Sequence, residues 1–281
     1  MDDFVVFICT HGRPNSQHTY NTLKKCRYSG KIILVLDDTD STLQQYIDIY
    51  GVDMLRVFNK NHYINSSFDN GDNKPHYKCI LYAKRAVEDI ASSMGLKYFA
   101  IADDDITDFV IRYPNKGKLT TYPITNFDFI LDSYVDILQP SVACVGFGYA
   151  KSYFKGANTF EYTTLSNRSL PYQFLIRNSA VKVNWVSWFG EDDITELQSS
   201  LLGSVWLSIP HVMQVMKPIG SVDSVGGMVE TYRDFDEFTR KFNIFKYCPQ
   251  RTYFMCRKNK MYLAHKTNSC FPKIISEVYK K

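Results

Sequence analysis

Tyr98-Phe99-Ala100-Ile101-Ala102-Asp103-Asp104-Asp105-Ile106 runs from apolar and aromatic residues straight into three carboxylates. A short apolar run of this kind reads as a buried strand. Three adjacent anions repel one another and would be costly to leave unpaired in a core. The simplest arrangement is a strand that delivers carboxylates to the edge of a sheet, where a divalent cation neutralises them. Oxygen ligands of this type suit Mg2+ or Mn2+. A solvated acidic loop after a strand is the plainer alternative, and the flanking sequence has to decide between them.

Upstream, Phe4-Val5-Val6-Phe7-Ile8-Cys9 is a strand that enters the polar turn Thr10-His11-Gly12-Arg13-Pro14. Ser16 stands where it can cap a helix over 17–25. A second buried strand, 31–36, ends in Asp37-Asp38. Ser41 then caps a helix to about Tyr50, and 54–58 is a third strand. Strand, helix, strand, helix, strand is the pattern of a parallel sheet. The polar stretch 59–75 reads as an irregular loop, followed by a helix from about His76 to Met94 that Gly95 stops. Two strands therefore deliver aspartates at their carboxyl ends, where open α/β sheets bind ligands.

Downstream, Thr125 or Asn126 starts a helix to about Leu138, and strands are expected over 142–147 and 172–177, with a polar, aromatic hairpin or loop between them. Trp185-Val186-Ser187-Trp188-Phe189-Gly190-Glu191-Asp192-Asp193 leads into a helix to Leu202. A second acidic cluster thus meets a helix N-terminus, where the dipole favours anions. Helix capping explains those acids on its own; the two tryptophans and the glycine before them suggest a shaped pocket. A short strand 212–216, a glycine-bearing loop 221–227, a helix over 233–241 and a hairpin of 252–256 with 261–265 complete the chain. No repeat or linker interrupts it, so 1–281 is expected to be one domain.

The composition, 45% hydrophobic and 22% charged over 281 residues, is that of a globular protein with a substantial core. No apolar stretch reaches the length of a membrane span, and the N-terminus lacks the basic and apolar regions of a signal peptide. Seven cysteines without C-x-x-C spacing read as reduced thiols, which implies a cytoplasmic location. Charge is uneven along the chain. Residues 241–281 hold ten Lys/Arg and one acid, Glu277, a balance of +9, while the rest carries 23 basic and 28 acidic residues, or −5. A basic tail interleaved with aromatics suits an anionic polymer or a diphosphate; a solvated basic surface is the alternative.

Taken in order, these features resemble the GT-A glycosyltransferases, which use nucleotide sugars. The resemblance implies an α/β, Rossmann-like, mostly parallel sheet flanked by helices, with a C-terminal acceptor-side extension and hairpin. Residues 1–150 would form the nucleotide-sugar half and 151–281 the acceptor half. Asp103-Asp104-Asp105 matches the family's D-x-D, which implies that Asp103 and Asp105 hold Mn2+ or Mg2+ and that Asp103 and Asp104 lie against the donor. Thr10-His11-Gly12-Arg13-Pro14 is similar to the family's T-x-x-R-P turn, and Asp37 or Asp38 to the acid that reads uracil or ribose. Thr10, Arg13 and Asp38 are the expected donor contacts. Ala83-Lys84-Arg85 partly matches an A-R-N motif, placing Lys84 near the diphosphate. Gly190-Glu191-Asp192 resembles the E-D motif, which implies Asp192 as general base and Glu191 on the acceptor. Leu263-Ala264-His265 looks like the late histidine that completes the metal shell. Trp188 and the loop at Gly226 and Gly227 are expected beside the acceptor.

Among GT-A proteins the chain looks most like the compact bacteriophage and TET-associated glycosyltransferases that modify hydroxymethylated pyrimidines. That implies a UDP-sugar donor, with arabinose and glucose as candidate sugars, double-stranded DNA as acceptor, and the host cytoplasm as location for a phage product. The alternatives are a small cytosolic glycosyltransferase acting on a polysaccharide, lipid-linked sugar or protein, and a nucleic-acid-binding module with structural acids. A metal-dependent nuclease or nucleotidyltransferase would need acids from two neighbouring strands around paired metals. The net acidity outside the tail argues against a simple binding module.

Overall fold

The structure is a computed structural model, and it describes residues 3–64, 79–138, 140–149, 173–216, 228, 234–235, 237–249, 252–257 and 260–265. For 149, 237–241, 257 and 260–265 only the backbone is described. The first half runs β1 (Val5–Cys9), α1 (His18–Lys25), β2 (Lys31–Asp37), α2 (Leu43–Tyr50), β3 (Leu55–Phe58), α3 (Lys60–Ile64), α4 (Leu81–Ser93) and β4 (Tyr98–Asp103). Then come β5 (Ile106–Asn115), β6 (Lys118–Pro123), α5 (Phe127–Val135), β7 (Val142–Tyr149), β8 (Phe174–Asn178), α6 (Glu191–Leu201), β9 (Val205–Met216), α7 (Glu237–Tyr247), β10 (Thr252–Arg257) and β11 (Lys260–His265).

Nine strands form one sheet in the order β3-β2-β1-β4-β8-β7-β9-β5-β6, and β10 and β11 form the separate hairpin expected of the late strands. β1 pairs in parallel with β2 and with β4, and β2 with β3. Parallel pairing therefore holds through the first half. Beyond β4 the sheet is mixed, with antiparallel contacts β4–β8, β7–β8, β5–β9 and β5–β6 and one parallel contact, β7–β9. β1 lies between β2, its successor, and β4, which crosses to its other side. That makes the carboxyl ends of β1 and β4 a topological switch point, the place where such sheets hold ligands.

Strand alternation sorts the apolar side chains onto two faces. Val6, Ile8, Leu34, Ala100 and Ala102 pack with Leu23, Tyr46, Phe127, Leu131 and Tyr134 of α1, α2 and α5. Val5, Phe7, Cys9, Val35, Phe99 and Ile101 pack with Leu81, Tyr82, Ala86, Val87 and Ala91 of α4. Because both faces are covered, β1 is buried along its whole length, and its sequence is a continuous apolar run. A smaller cluster of Val186, Ile194, Leu197, Ile244 and Cys248 joins α6 to α7.

Several local expectations need correction. Ser16 and Ser41 do not cap helices. Gln17 and Thr42 occupy the cap positions of α1 and α2 without a capping side-chain bond, and Asp40 accepts instead from the Thr42 backbone amide at 2.8 Å. Asn126 does cap α5, accepting from the Phe129 amide at 3.1 Å. The late helix spans 237–247 rather than 233–241, and β9 begins at Val205, seven residues earlier than expected. The β5–β6 hairpin went unread because Asp108, Arg112, Pro114 and the Lys116-Gly117 turn break the apolar run. Residues 151–170 and 221–227 lie outside the described residues.

Candidate active site

The period of a strand separates the first two of the three aspartates. Asp103 continues the row of Phe99 and Ile101, which faces α4, while Asp104 continues the row of Ala100 and Ala102, which faces α1 and α2. Asp104 is 5% exposed and takes a hydrogen bond from the Thr10 hydroxyl at 2.7 Å and one from the Arg13 guanidinium at 2.8 Å. Burial pushes its carboxyl up against the pull of Arg13 and Thr10. Asp104 is thus spent on locking the first loop to the end of β4.

That loop is held from within. The Thr10 hydroxyl also meets Tyr46 Oη at 2.8 Å and accepts from Gln17 Nε2 at 2.7 Å. Tyr46 Oη accepts from the Arg13 amide at 2.9 Å. Thr10, expected on the donor, is buried and shapes the loop from behind. At the end of β2, Asp37 is buried and Asp38 is exposed. His11 Nδ1 lies 2.9 Å from Asp37, and Lys60 Nζ lies 3.5 Å from it. Burial acts against the charge on Asp37, yet bonds from His11 and Thr39 and the Lys60 charge hold its carboxyl below the usual range. Asp38 accepts the Lys60 amide at 3.0 Å from its exposed position.

Lys84 joins the acidic turn to the second acidic cluster. It sits on α4, 2% exposed, with its ammonium 3.2 Å from Glu191 and in direct hydrogen bond with Asp192. Its Nζ also lies over the Trp185 ring, 4.9 Å from the centroid. Burial alone would lower its pKa, but Asp192, Glu191 and Asp103 outweigh that and raise it. Burial, opposed by Lys84 and reinforced by Asp105, Asp192 and Asp104, pushes Asp103 well above the usual carboxylate range. Burial, opposed by Lys84 and reinforced by Glu191, pushes Asp192 up to about 8. One ammonium thus faces several carboxylates, so the lysine stays charged while burial pushes the carboxyls of Asp103 and Asp192 up.

The acid pair has its own scaffold. Trp185 donates to Glu88 at 3.1 Å, and Glu88 takes Arg177 at 2.8 and 3.3 Å. Lys84 and Glu88 are four apart on α4 and therefore share a face. Gly190 precedes α6 with φ +66°, where a Cβ would lie 3.0 Å from Ile244 of α7. Asn243 of α7 donates to the Ser187 hydroxyl and to the Phe189 carbonyl, the latter at 3.1 Å. Trp188, expected beside the acceptor, is 3% exposed and packs on Phe235 at 4.8 Å. An aromatic this apolar is worth more buried behind the acids than open to water. Gly226 and Gly227 lie outside the described residues. His265 ends β11 opposite Thr252; its side chain is likewise outside them. Among the described residues, no group of three or more His, Cys, Asp or Glu is arranged to hold a metal ion.

The sequence reading missed the residues that hold the acidic turn. The Thr19 amide, in the first turn of α1, donates to the Asp104 carbonyl at 3.1 Å. Its hydroxyl donates to the Asp103 carbonyl and accepts the Ile106 amide at 3.0 Å, and Thr22 donates to the Ile106 carbonyl at 3.0 Å. Two threonines three apart on one helix face were the available signal. Thr19→Val keeps the shape and orphans a buried amide, so it should cost about 1–3 kcal/mol in urea denaturation. An unchanged midpoint would show that the turn needs no such support.

The model of the TET-Associated Glycosyltransferase family matches residues 4–227, which contain the first loop, Lys84, the acidic turn and the acid pair. The chain belongs to this family. The membership agrees with the α/β architecture and the GT-A resemblance carried by the motifs. No curated protein matches the chain in sequence. Among solved structures, GalNAc-T7 with UDP, GalNAc and Mn2+ is similar at TM-score 0.46 and 12% identity, over 84% of this chain and 48% of that one. This chain therefore spans about half the length of that protein. Glucosyl-3-phosphoglycerate synthase from Mycobacterium tuberculosis, in complex with Mn2+, UDP-glucose and phosphoglyceric acid, is similar at TM-score 0.42 and 8% identity, over 98% of this chain and 88% of that one. No helix among the described residues is long and apolar enough to cross a membrane.

Proposed function

We propose that the protein is a metal-dependent, inverting glycosyltransferase that moves a sugar from a UDP-sugar to the hydroxymethyl group of a modified pyrimidine in DNA. The observation that carries this reading is that Lys84 links two acidic groups: its ammonium contacts Glu191 and Asp192 and feels the charge of Asp103 at the end of β4. A leaving nucleoside diphosphate needs its charge neutralised on one side of the anomeric carbon. An acceptor hydroxyl needs a base on the other. The family name supports the transfer of a sugar, and its link to TET supports a modified base as acceptor.

In this reading Arg13 and Asp38 meet the nucleotide, and Thr10 and Asp104 shape the loop that carries Arg13. Asp103 and Asp105 hold Mn2+ or Mg2+, with His265 as a further donor. The fit rests on donor chemistry: hard carboxylate oxygens in a buried cluster with too few cations of its own. Such an ion, when bound, neutralises charge on the departing diphosphate. Lys84 stays with the acid pair and orients it, instead of reaching the diphosphate. Asp192, more exposed than Glu191 at 23% against 10% of the side chain, takes the acceptor proton.

Asp105→Ala should abolish the Mn2+ dependence of UDP binding in calorimetry while the melting temperature is kept. UDP binding by Asp105→Ala that still responds fully to Mn2+ would remove Asp105 from the metal site. The reading as a whole is tested by mass spectrometry of DNA containing hydroxymethylcytosine, incubated with the protein, Mn2+ and a panel of nucleotide sugars. A mass gain identifies acceptor and sugar together. Gain on a polysaccharide or protein acceptor but never on DNA would overturn the acceptor assignment.

A further inference from the structure

The outer half of the β5–β6 hairpin has no part in the site described above, yet its surface is unusual. β9 pairs with β5 only from Ile106 to Ile111, so Arg112–Asn115 have β6 alone as a partner. The outer half of the hairpin therefore projects as a two-stranded ribbon, which is marginal in water without a further surface to cover it. Its turn is tight, with Lys116 and Gly117 both at positive φ, +50° and +75°, the form that suits two-residue hairpins.

On one face of this ribbon Tyr113 and Tyr122 lie stacked, centroids 5.0 Å apart and planes 4° from parallel. They are 41% and 38% exposed. Tyr113 stands opposite Thr120, and Lys118 opposite Asn115, so strand alternation puts Lys118 on the tyrosines' face. Lys116 and Lys118 are both exposed. Between Asp108 and Asp128 there is no acidic residue, whereas Arg112, Lys116 and Lys118 add three positive charges. In a chain with 29 acids this is a cationic stretch with an open aromatic platform.

Flat aromatic faces beside cations are what unpaired nucleobases and their phosphates recognise. We propose that the β5–β6 hairpin docks a DNA strand whose bases are unstacked, Tyr113 and Tyr122 taking bases and Lys116 and Lys118 the phosphates. The proposal rests on the DNA-acceptor reading and deepens it: the acceptor strand is engaged opened rather than as closed duplex. Enzymes that act on a base need it out of the stack. Tyr113 is seven residues along β5 from Ile106, roughly 23 Å at the rise of a strand, a span of at most about seven nucleotides, the number at stacked-duplex spacing. A single oligonucleotide therefore reaches from the acidic turn to the hairpin.

The test is fluorescence anisotropy with a labelled thymidine 20-mer and its duplex with an adenosine 20-mer. The wild type is compared with Tyr113→Ala/Tyr122→Ala and with Lys116→Glu/Lys118→Glu. Wild type should bind the single strand more tightly than the duplex. The tyrosine variant should lose at least tenfold in affinity with its salt dependence kept, and the lysine variant should lose affinity with a shallower salt slope. UDP affinity and melting temperature should stay at wild-type values in both. Wild-type binding to DNA with no loss in either variant would overturn the hairpin assignment and leave the DNA reading standing. Tighter binding to the duplex would overturn the opened strand. No DNA binding by wild type at low salt would sink the DNA reading itself. A glycan retained by wild type, lost with the tyrosines and indifferent to the lysines would make the platform a sugar-binding surface.

Discussion

Asp192→Asn should lower kcat by roughly 10²–10⁴-fold, the loss typical of removing a general base. The melting temperature should hardly move, because Lys84 keeps Glu191 at 3.2 Å as a counter-charge and the helix start is formed by Gly190 with no side-chain cap. UDP affinity should stay at the wild-type value, since the role proposed for Asp192 is on the acceptor side. The pH profile gives an independent reading. A base must be unprotonated to act, and burial pushes the Asp192 carboxyl up to about 8. The wild-type rate should therefore rise with pH through about 8 and level off above it, and the residual rate of Asp192→Asn should lack that limb. If Asp192→Asn kept full activity while Glu191→Gln was inactive, the base would be Glu191. If both stayed active, the inverting mechanism would have to be abandoned.

Lys84→Met should destabilise the fold by about 3–5 kcal/mol, the penalty for leaving buried charges without their partner. The ammonium is 2% exposed and serves both Glu191 and Asp192, so its removal leaves two acids facing each other at the start of α6. Whatever folds should show its alkaline limb displaced to higher pH, because the cation that favours an ionised Asp192 is gone. Lys84→Arg keeps the charge and should recover most of the stability, while the wider guanidinium disturbs the contact with Trp185. Urea denaturation and pH–rate profiles check the two parts separately. A Lys84→Met protein as stable as wild type would show that the two acids need no cation beside them.

The first half of the fold was legible because its strands are buried on both faces. β1, β2 and β4 read as unbroken apolar runs, and the turns after them carry polar residues that have no business in a core. The alternation that divides Asp103 from Asp104 was legible in principle too, since it is the period of the strand continued past its last apolar residue. What stayed hidden were partnerships across long spans of chain. Nothing near Thr10 says that its hydroxyl meets Asp104, and nothing near Lys84 says that it meets Glu191 and Asp192. Trp185 and Trp188 looked like pocket walls because aromatic residues fill cores and line clefts with the same chemistry. The β5–β6 hairpin escaped because its exposed outer half carries little apolar patterning.

Lys84 also bears on how the chain comes to be folded during synthesis. Its hydrogen-bonding carboxylates lie 107 and 108 residues downstream. The parallel strands β1 to β4 can therefore assemble as the chain emerges, N-terminal parts first, but α4 must then seat an ammonium against apolar neighbours with neither hydrogen-bonding acid yet made. Residues 191 and 192 arrive long after, and only their arrival removes that penalty. A chain cut short before α6 therefore lacks both acids and retains a cation its core is not built to keep.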